Sequence, residues 1–95
     1  MRIIWRLSAR VDLVRARADI TQHHPQGARR VHHEIMAAVR RVADAPHSGR
    51  PGRVEHTREA MVPHTPYIVA YSVVGDGLAV LAVIHGAQDW PERFE

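Results

Sequence analysis

Four basic side chains in the second half of the chain are the strongest candidates for chemistry. Arg50 and Arg53 lie in a segment rich in Gly and Pro. Arg58 follows shortly after them, and His85 ends an apolar run. A guanidinium binds carboxylate or phosphate through a planar fork, and an imidazole can act as a general base near neutral pH. The alternative is structural: arginines in a solvated turn, Arg58 paired with Glu59, and His85 hydrogen-bonded at a sheet edge.

The eight histidines do not form a pattern typical of a metal site. His23-His24 and His32-His33 are neighbouring pairs, but adjacent residues of a helix point about 100° apart. Such pairs are unsuited to chelation. The chain also has no Cys and no HExxH motif, which are the usual sources of zinc ligands. We therefore predict neither a metal nor another cofactor.

Composition predicts one small folded domain, residues 1–95, because 45% of the residues are hydrophobic. All 13 basic residues are arginine and the net charge is +3. That surface favours acidic partners or nucleic acid, although GC-rich codon usage produces the same composition. The first residues lack the apolar core of a signal peptide, and no apolar run approaches the ~20 residues of a membrane span. We expect a cytoplasmic protein with no membrane partner.

Apolar spacing and turn residues predict an α+β domain in the order β-α-α-β-β-β. Ser8 is the predicted N-cap of the first helix, and Pro25 suits the first turn of the second. The link between the helices is short, so they should form a hairpin packed on one face of a small, mainly antiparallel sheet. The clearest helical period joins Ala28, Val31, Ile35, Ala38 and Val42. The predicted strands are 3–7, 54–62, 67–74 and 78–85, the predicted helices are 9–22 and 25–43, and 87–95 is a C-terminal tail.

Pairing across the predicted turns divides the sheet into two faces. We assume that Val74 lies opposite Leu78 and Val62 opposite Tyr67, and a slip of one residue would exchange the faces. The bulkier face is predicted to pack on the helices, and it holds Arg58, Tyr67, Val69, Tyr71, Val73, Leu81, Val83 and His85. The other face is small and apolar, and it holds Met61, Ile68, Ala70, Ser72, Val80, Ala82 and Ile84. Trp90 and Phe94 of the tail, or a segment of a partner, could cover this second face.

An ordered series of short motifs spans the second half of the chain. The motifs are Gly49-Arg50-Pro51-Gly52-Arg53-Val54, Thr57-Arg58-Glu59, Pro66-Tyr67-Ile68-Val69-Ala70-Tyr71, Val83-Ile84-His85-Gly86-Ala87 and Trp90-Pro91. With the helical hairpin upstream, the series resembles the ParE branch of the RelE/ParE toxin superfamily. The resemblance implies a cytosolic toxin of a type II toxin–antitoxin pair, silenced by a cognate antitoxin in a hetero-oligomeric complex. It also implies two alternative targets, because ParE-like members poison DNA gyrase and RelE-like members cut mRNA in the ribosomal A site.

One position favours gyrase binding over RNA cleavage. RelE-like nucleases place an Arg directly after the Tyr that opens the middle strand, whereas here Ile68 follows Tyr67. Isoleucine can neither move a proton nor bind phosphate. We therefore predict a toxin that binds its target and is not an enzyme. The alternative is a ribosome-dependent endoribonuclease with Arg58 and His85 as candidate catalytic residues, and a third interpretation is a domain that has lost toxicity.

Two sets of binding residues follow from this hypothesis. Trp90 could stack on a base, although packing in a core or lid is its more common role. Arginines would pair with acidic antitoxin residues, which speeds association more than it sets affinity. The predicted target-binding residues are Arg50, Arg53, Arg58, His85 and Trp90. The predicted antitoxin-binding residues are Ile68, Ala70, Ser72, Val80, Ile84, Trp90 and Phe94.

Overall fold

A computed structural model describes residues 1–94, apart from the side chains of His23 and Pro25. The elements are β1 (Arg2–Trp5), α1 (Leu7–His23), α2 (Pro25–Asp44), β2 (Arg50–Pro51), β3 (Arg58–Met61), β4 (Tyr67–Val74) and β5 (Gly77–His85). The predicted α+β class and order are confirmed, with one addition. A two-residue strand, β2, lies in the segment rich in Gly and Pro, where no strand is predicted, and residues 54–57 of the predicted strand 54–62 form a turn instead.

The five strands form one sheet in the order β1-β5-β4-β3-β2. β1 pairs in parallel with β5, and the other neighbours are antiparallel. β5 therefore lies between β1 and β4, and every one of its residues except His85 is buried. A strand that is covered on both faces is continuously apolar, which explains the run from Leu78 to Ile84.

The helical hairpin covers one face of this sheet. The predicted period of α2 is confirmed, because Ala28, Ile35, Ala38 and Val42 are buried and Val31 is half-buried. These side chains recur every three or four residues and so lie on one side of the helix. The main core cluster consists of Ala9, Ile35, Ala38, Val39, Val42, Val62, Val69, Tyr71, Leu78, Val80 and Val83.

The predicted N-cap is wrong, and the reason lies in how α1 meets the sheet. α1 begins at Leu7, and Arg6 is at the N-cap with no side-chain capping bond. Ser8 instead donates its hydroxyl to the Leu81 carbonyl at 3.1 Å, and the Val83 N–H donates to Asp12 at 3.0 Å. β1 ends opposite Val80. Beyond that point, side chains of α1 take the place of β1 and form hydrogen bonds with the backbone groups along this edge of β5.

The assumed pairing of β4 with β5 is wrong near the turn. Val74 pairs with Gly77 rather than Leu78, and the register shifts by one residue between Ala70 and Tyr71. The shift is a β-bulge, which places an extra residue in one strand and reverses the alternation beyond it. Val80 therefore lies in the helix-side core and not on the second face. On the side of the bulge away from the turn, the assumed register holds, and the predicted second face is correct for Ala70, Ala82 and Ile84.

Candidate binding surfaces

A buried carboxylate organises the Gly–Pro segment. Glu59 is 2% exposed, and its two oxygens accept hydrogen bonds from two arginines. Arg50 donates from Nη2 at 2.8 Å and from Nε at 3.1 Å to Oε1. Arg53 donates from its backbone N–H at 2.8 Å and from Nε at 3.1 Å to Oε2. We call these three residues the Glu59 cluster.

A tight turn brings Arg53 over the strand that carries Glu59. The Gly52 N–H donates to the Thr57 carbonyl at 2.8 Å, and the Thr57 hydroxyl donates to the Val54 carbonyl at 2.6 Å. A Cβ at position 52 would collide with Thr57, so this approach requires glycine. His56 has a φ of 63° within the turn. The carboxylate that the Gly–Pro arginines bind is therefore supplied by the chain's own β3.

The electrostatics of the cluster leave a net positive charge at the surface. Burial raises the pKa of the Glu59 carboxyl, but the hydrogen bonds from the Arg53 backbone and side chain and from Arg50 outweigh it. The pKa of Glu59 therefore lies below its ordinary value of 4.5, and the group is ionised at neutral pH. One carboxylate neutralises one of two guanidinium groups. The arginine side chains stay 50% and 43% exposed, so they can still reach an acidic partner.

The C-terminal tail covers the second face of the sheet and is joined to the same cluster. Trp90 and Phe94 pack on Ala70, Ala82 and Ile84. The guanidinium carbon of Arg53 lies 3.8 Å from the Trp90 ring centroid, a distance typical of a cation–π interaction. The chain therefore supplies its own cover for this apolar face.

Arg58 holds the segment between α2 and β2. Its Nη1 donates to the Gly49 carbonyl at 2.8 Å and to the His47 carbonyl at 3.3 Å. The interpretation that Arg58 pairs with Glu59 is wrong, because successive strand residues point to opposite faces. Arg58 lies opposite Tyr71 on β4, and the Tyr71 hydroxyl donates to the Pro46 carbonyl at 2.8 Å.

His85 lies apart from Arg58, beside the first residue of β4. It pairs with Tyr67, and the two rings meet edge to face at 5.8 Å. The Ala87 N–H donates to His85 Nδ1 at 3.1 Å. Arg58 lies opposite Tyr71, four residues along β4, which corresponds to about 13 Å along the strand. The structure thus brings Arg50, Arg53 and Trp90 together, and it does not bring Arg58 and His85 into one site.

Comparison with known proteins agrees with this architecture. The sequence model of the family described as "ParE toxin of type II toxin-antitoxin system, parDE" matches residues 3–90. The chain belongs to the ParE toxin family. A family relative from Sinorhizobium fredii (strain NBRC 101917 / NGR234), named "Putative toxin Y4kP", is 41% identical over 91 residues, covering 96% of this chain and 94% of the relative.

A solved structure shows the same fold as this ParE toxin. It is titled "Chromosomal ParDE TA system from P. aeruginosa" and superposes with a TM-score of 0.81 at 20% identity. The match covers 90% of this chain and 95% of the other. At this identity the likeness concerns the fold, and function has to be argued from the surfaces.

One surface of the ParE toxin was not anticipated from its sequence. Leu7, Val11 and Val14 are 76%, 40% and 68% exposed, and Ala18 is also exposed. Their spacing places all four on one side of α1. The opposite side, with Ala9 and Ala16, is buried. α1 is thus apolar on two opposite faces, and we call Leu7, Val11, Val14 and Ala18 the α1 stripe.

Arginines border the α1 stripe on both sides. At about 100° per residue, Arg10 and Arg17 fall along one border and Arg15 along the other. None of the three has a carboxylate within 4.0 Å among residues 1–94. The stripe is therefore an apolar strip with a positive rim.

The predicted antitoxin contacts are mostly covered in the free ParE toxin. Ile68, Ala70 and Ile84 are buried. Val80 is fully buried against the helices, so its predicted place on the second face is wrong because of the bulge, and its role as an antitoxin contact stays a prediction. The half-buried members of the set are Ser72, Trp90 and Phe94.

Proposed function

We propose that a cognate antitoxin neutralises this ParE-family toxin by placing an acidic amphipathic helix on the α1 stripe. The observation that carries the proposal is the exposure of Leu7, Val11 and Val14 opposite the buried face of α1. A contiguous exposed apolar strip on a small protein marks an interaction surface. Acidic residues of the partner helix would pair with the arginines at the rim and speed association. A separate part of the antitoxin would contact Ser72, Trp90 and Phe94, which are half-buried.

The double variant Leu7→Glu/Val14→Glu should weaken antitoxin binding about 100-fold, since burying two such side chains contributes at least about 3 kcal/mol. Both side chains are exposed, so folding should be unchanged. Binding of the antitoxin encoded beside the toxin gene would be measured by calorimetry. Gln26→Glu/His33→Glu is the matched control, because it adds the same two carboxylates to exposed positions of α2. Wild-type affinity in the stripe variant would refute this surface.

We further propose that the free toxin acts in the cytoplasm by binding DNA gyrase. Three observations support binding over RNA cleavage. The candidate catalytic pair, Arg58 and His85, lies apart, and the buried Ile68 side chain offers no proton or charge. The Glu59 cluster instead presents two half-exposed guanidinium groups beside Trp90, which suits an acidic protein surface. Among residues 1–94, neither helix is long and apolar enough to cross a membrane.

Purified toxin is expected to inhibit the supercoiling of relaxed plasmid by purified gyrase, and antitoxin should restore activity. Arg50→Gln, which leaves Arg53 on Glu59, should weaken inhibition, whereas Arg93→Gln removes an exposed charge elsewhere and should not. Normal supercoiling at a large excess of toxin would remove gyrase as the target. New mRNA 5′ ends in cells that express the toxin would favour the ribonuclease alternative, and normal growth of those cells would indicate lost toxicity.

A further inference from the structure

The outer face of α2 carries two arginine pairs in a regular arrangement. Arg29-Arg30 and Arg40-Arg41 are exposed, and the pairs are separated by 11 positions. Eleven residues make just over three helical turns and about 16 Å of helix, so both pairs lie on the same side of α2. His33, Glu34 and Ala37 lie between them, so one half-buried carboxylate accompanies the four guanidinium groups on this side. We call these four arginines the α2 arginine pairs.

The α2 arginine pairs have no partner within the described chain. They form no salt bridge and donate no side-chain hydrogen bond to residues 1–94. The opposite side of α2 supplies Ile35, Ala38, Val39 and Val42 to the core. That packing holds the helix in one orientation, so the arginines remain directed to solvent.

The ligand of this face must differ from that of the α1 stripe. No large hydrophobic side chain of α2 is exposed in the described chain, so burial of apolar surface cannot drive binding here. Affinity has to come from charge. A guanidinium suits phosphate oxygens through its planar fork, and two pairs about 16 Å apart suit phosphates that border a groove.

We propose that the α2 arginine pairs bind the phosphate backbone of duplex DNA, each pair contacting one strand across a single groove. The major groove of B-form DNA is about 12 Å wide, so its bordering phosphates lie within reach of the two pairs. The major groove of A-form RNA is deep and narrow and fits this spacing less well. Binding would be independent of base sequence, because phosphates carry no sequence information. The proposal does not depend on gyrase being the target.

The test is a titration of a fluorescently labelled DNA duplex of about two helical turns with the purified full-length toxin, followed by anisotropy. Four phosphate contacts predict a slope of log affinity against log salt of about −3.6, and so a loss of roughly 100-fold between 50 and 200 mM salt. The variant Arg29→Gln/Arg30→Gln/Arg40→Gln/Arg41→Gln should lose at least about tenfold in affinity at 50 mM salt and most of this slope.

The control has the same net charge but keeps the α2 arginine pairs. It is Arg2→Gln/Arg6→Gln/Arg10→Gln/Arg17→Gln, at four exposed positions outside α2. It should keep most of the affinity and of the slope, and circular dichroism should show that both variants are folded. Equal losses in both variants, or an unchanged α2 variant, would overturn the proposal. Tighter binding of an RNA duplex or a single-stranded RNA of the same length would also overturn it and identify RNA as the ligand.

Discussion

Replacing Arg50 and Arg53 together by alanine should lower the free energy of unfolding by about 3 kcal/mol, because it leaves the buried Glu59 carboxylate without its cations. For a domain of this size that corresponds to a fall in melting temperature of roughly 12–24 °C. Glu59→Gln should cost less, because the half-exposed arginines regain water when the carboxylate is removed. Thermal and urea unfolding would measure both effects.

A third variant tests the sign of the change in stability, which does not depend on the size of each effect. In the background without Arg50 and Arg53, Glu59→Gln should stabilise the protein, since it replaces a buried, unpaired charge with a neutral amide. In the wild-type background the same substitution should destabilise it. If Glu59→Gln has the same sign in both backgrounds, the cluster does not hold the turn in the way its hydrogen bonds indicate.

The contribution of Glu59 to the pH dependence of stability should also change sign when Arg50 and Arg53 are replaced. In the wild type the pKa of Glu59 is lowered by Arg53 and Arg50 despite burial. The contribution of Glu59 is therefore fully present above about pH 4.5 and is lost as pH falls through the lower pKa of the folded state. Without the two arginine side chains, burial raises the pKa of Glu59 in the folded protein above its value in the unfolded chain. The contribution of Glu59 to stability is then present at low pH and is lost as pH rises. Urea unfolding between pH 3 and 7 should show these opposite trends.

Tyr71→Phe should destabilise the protein by ~2–3 kcal/mol although it removes only one oxygen atom. Tyr71 is fully buried. Its hydroxyl donates to the Pro46 carbonyl at 2.8 Å and accepts from the Gly49 N–H at 3.0 Å. Phenylalanine would leave both backbone groups without partners in a place that water does not reach easily. A Cβ on Gly49 would collide with this hydroxyl, so the close approach of the Gly49 backbone to Tyr71 requires glycine.

Tyr67→Phe is the matched control for this prediction. Tyr67 lies on the same face of the same strand, but it is half-buried and its hydroxyl makes no hydrogen bond within residues 1–94. The control should change stability by less than about 0.5 kcal/mol. Equal effects of the two substitutions in thermal unfolding would show that the link from Tyr71 to Pro46 and Gly49 is not important for stability.

Elements with a simple local period could be predicted from the sequence. The bounds of β4 are those predicted, and α2 differs by one residue at its C-terminal end. The inward face of α1 is harder to predict, because the helix is apolar on two sides. Val11, Val14 and Ala18 form as regular a stripe as Leu13, Ala16 and Ile20, and periodicity alone does not say which stripe packs inward.

The arrangement around Glu59 depended on contacts that periodicity does not encode. The sequence indicates that the arginines of the Gly–Pro segment can bind carboxylate or phosphate, but it predicts their partner on another molecule. The turn from Gly52 to Thr57 returns the chain onto β3 and supplies that partner internally. The bulge beside Tyr71 is a second such feature, since one extra residue in β5 moved Val80 to the other face. Both depend on local backbone geometry that residue types alone do not determine.

The parallel pairing of β1 with β5 also determines when the newly made chain can fold. Ser8 and Leu81, which join the beginning of α1 to β5, are 73 positions apart, and such distant contacts form late because a long loop must first be closed. During translation, β1 has no neighbour and β4 lacks its longest partner until residues 77–85 leave the ribosome. The hairpin can meanwhile pack only on β3 and β4 through α2, because the sheet contacts of α1 are mainly with β5. The complete core therefore closes only after β5 has been synthesised, so a partner that recognises the folded sheet can meet it only from that moment on.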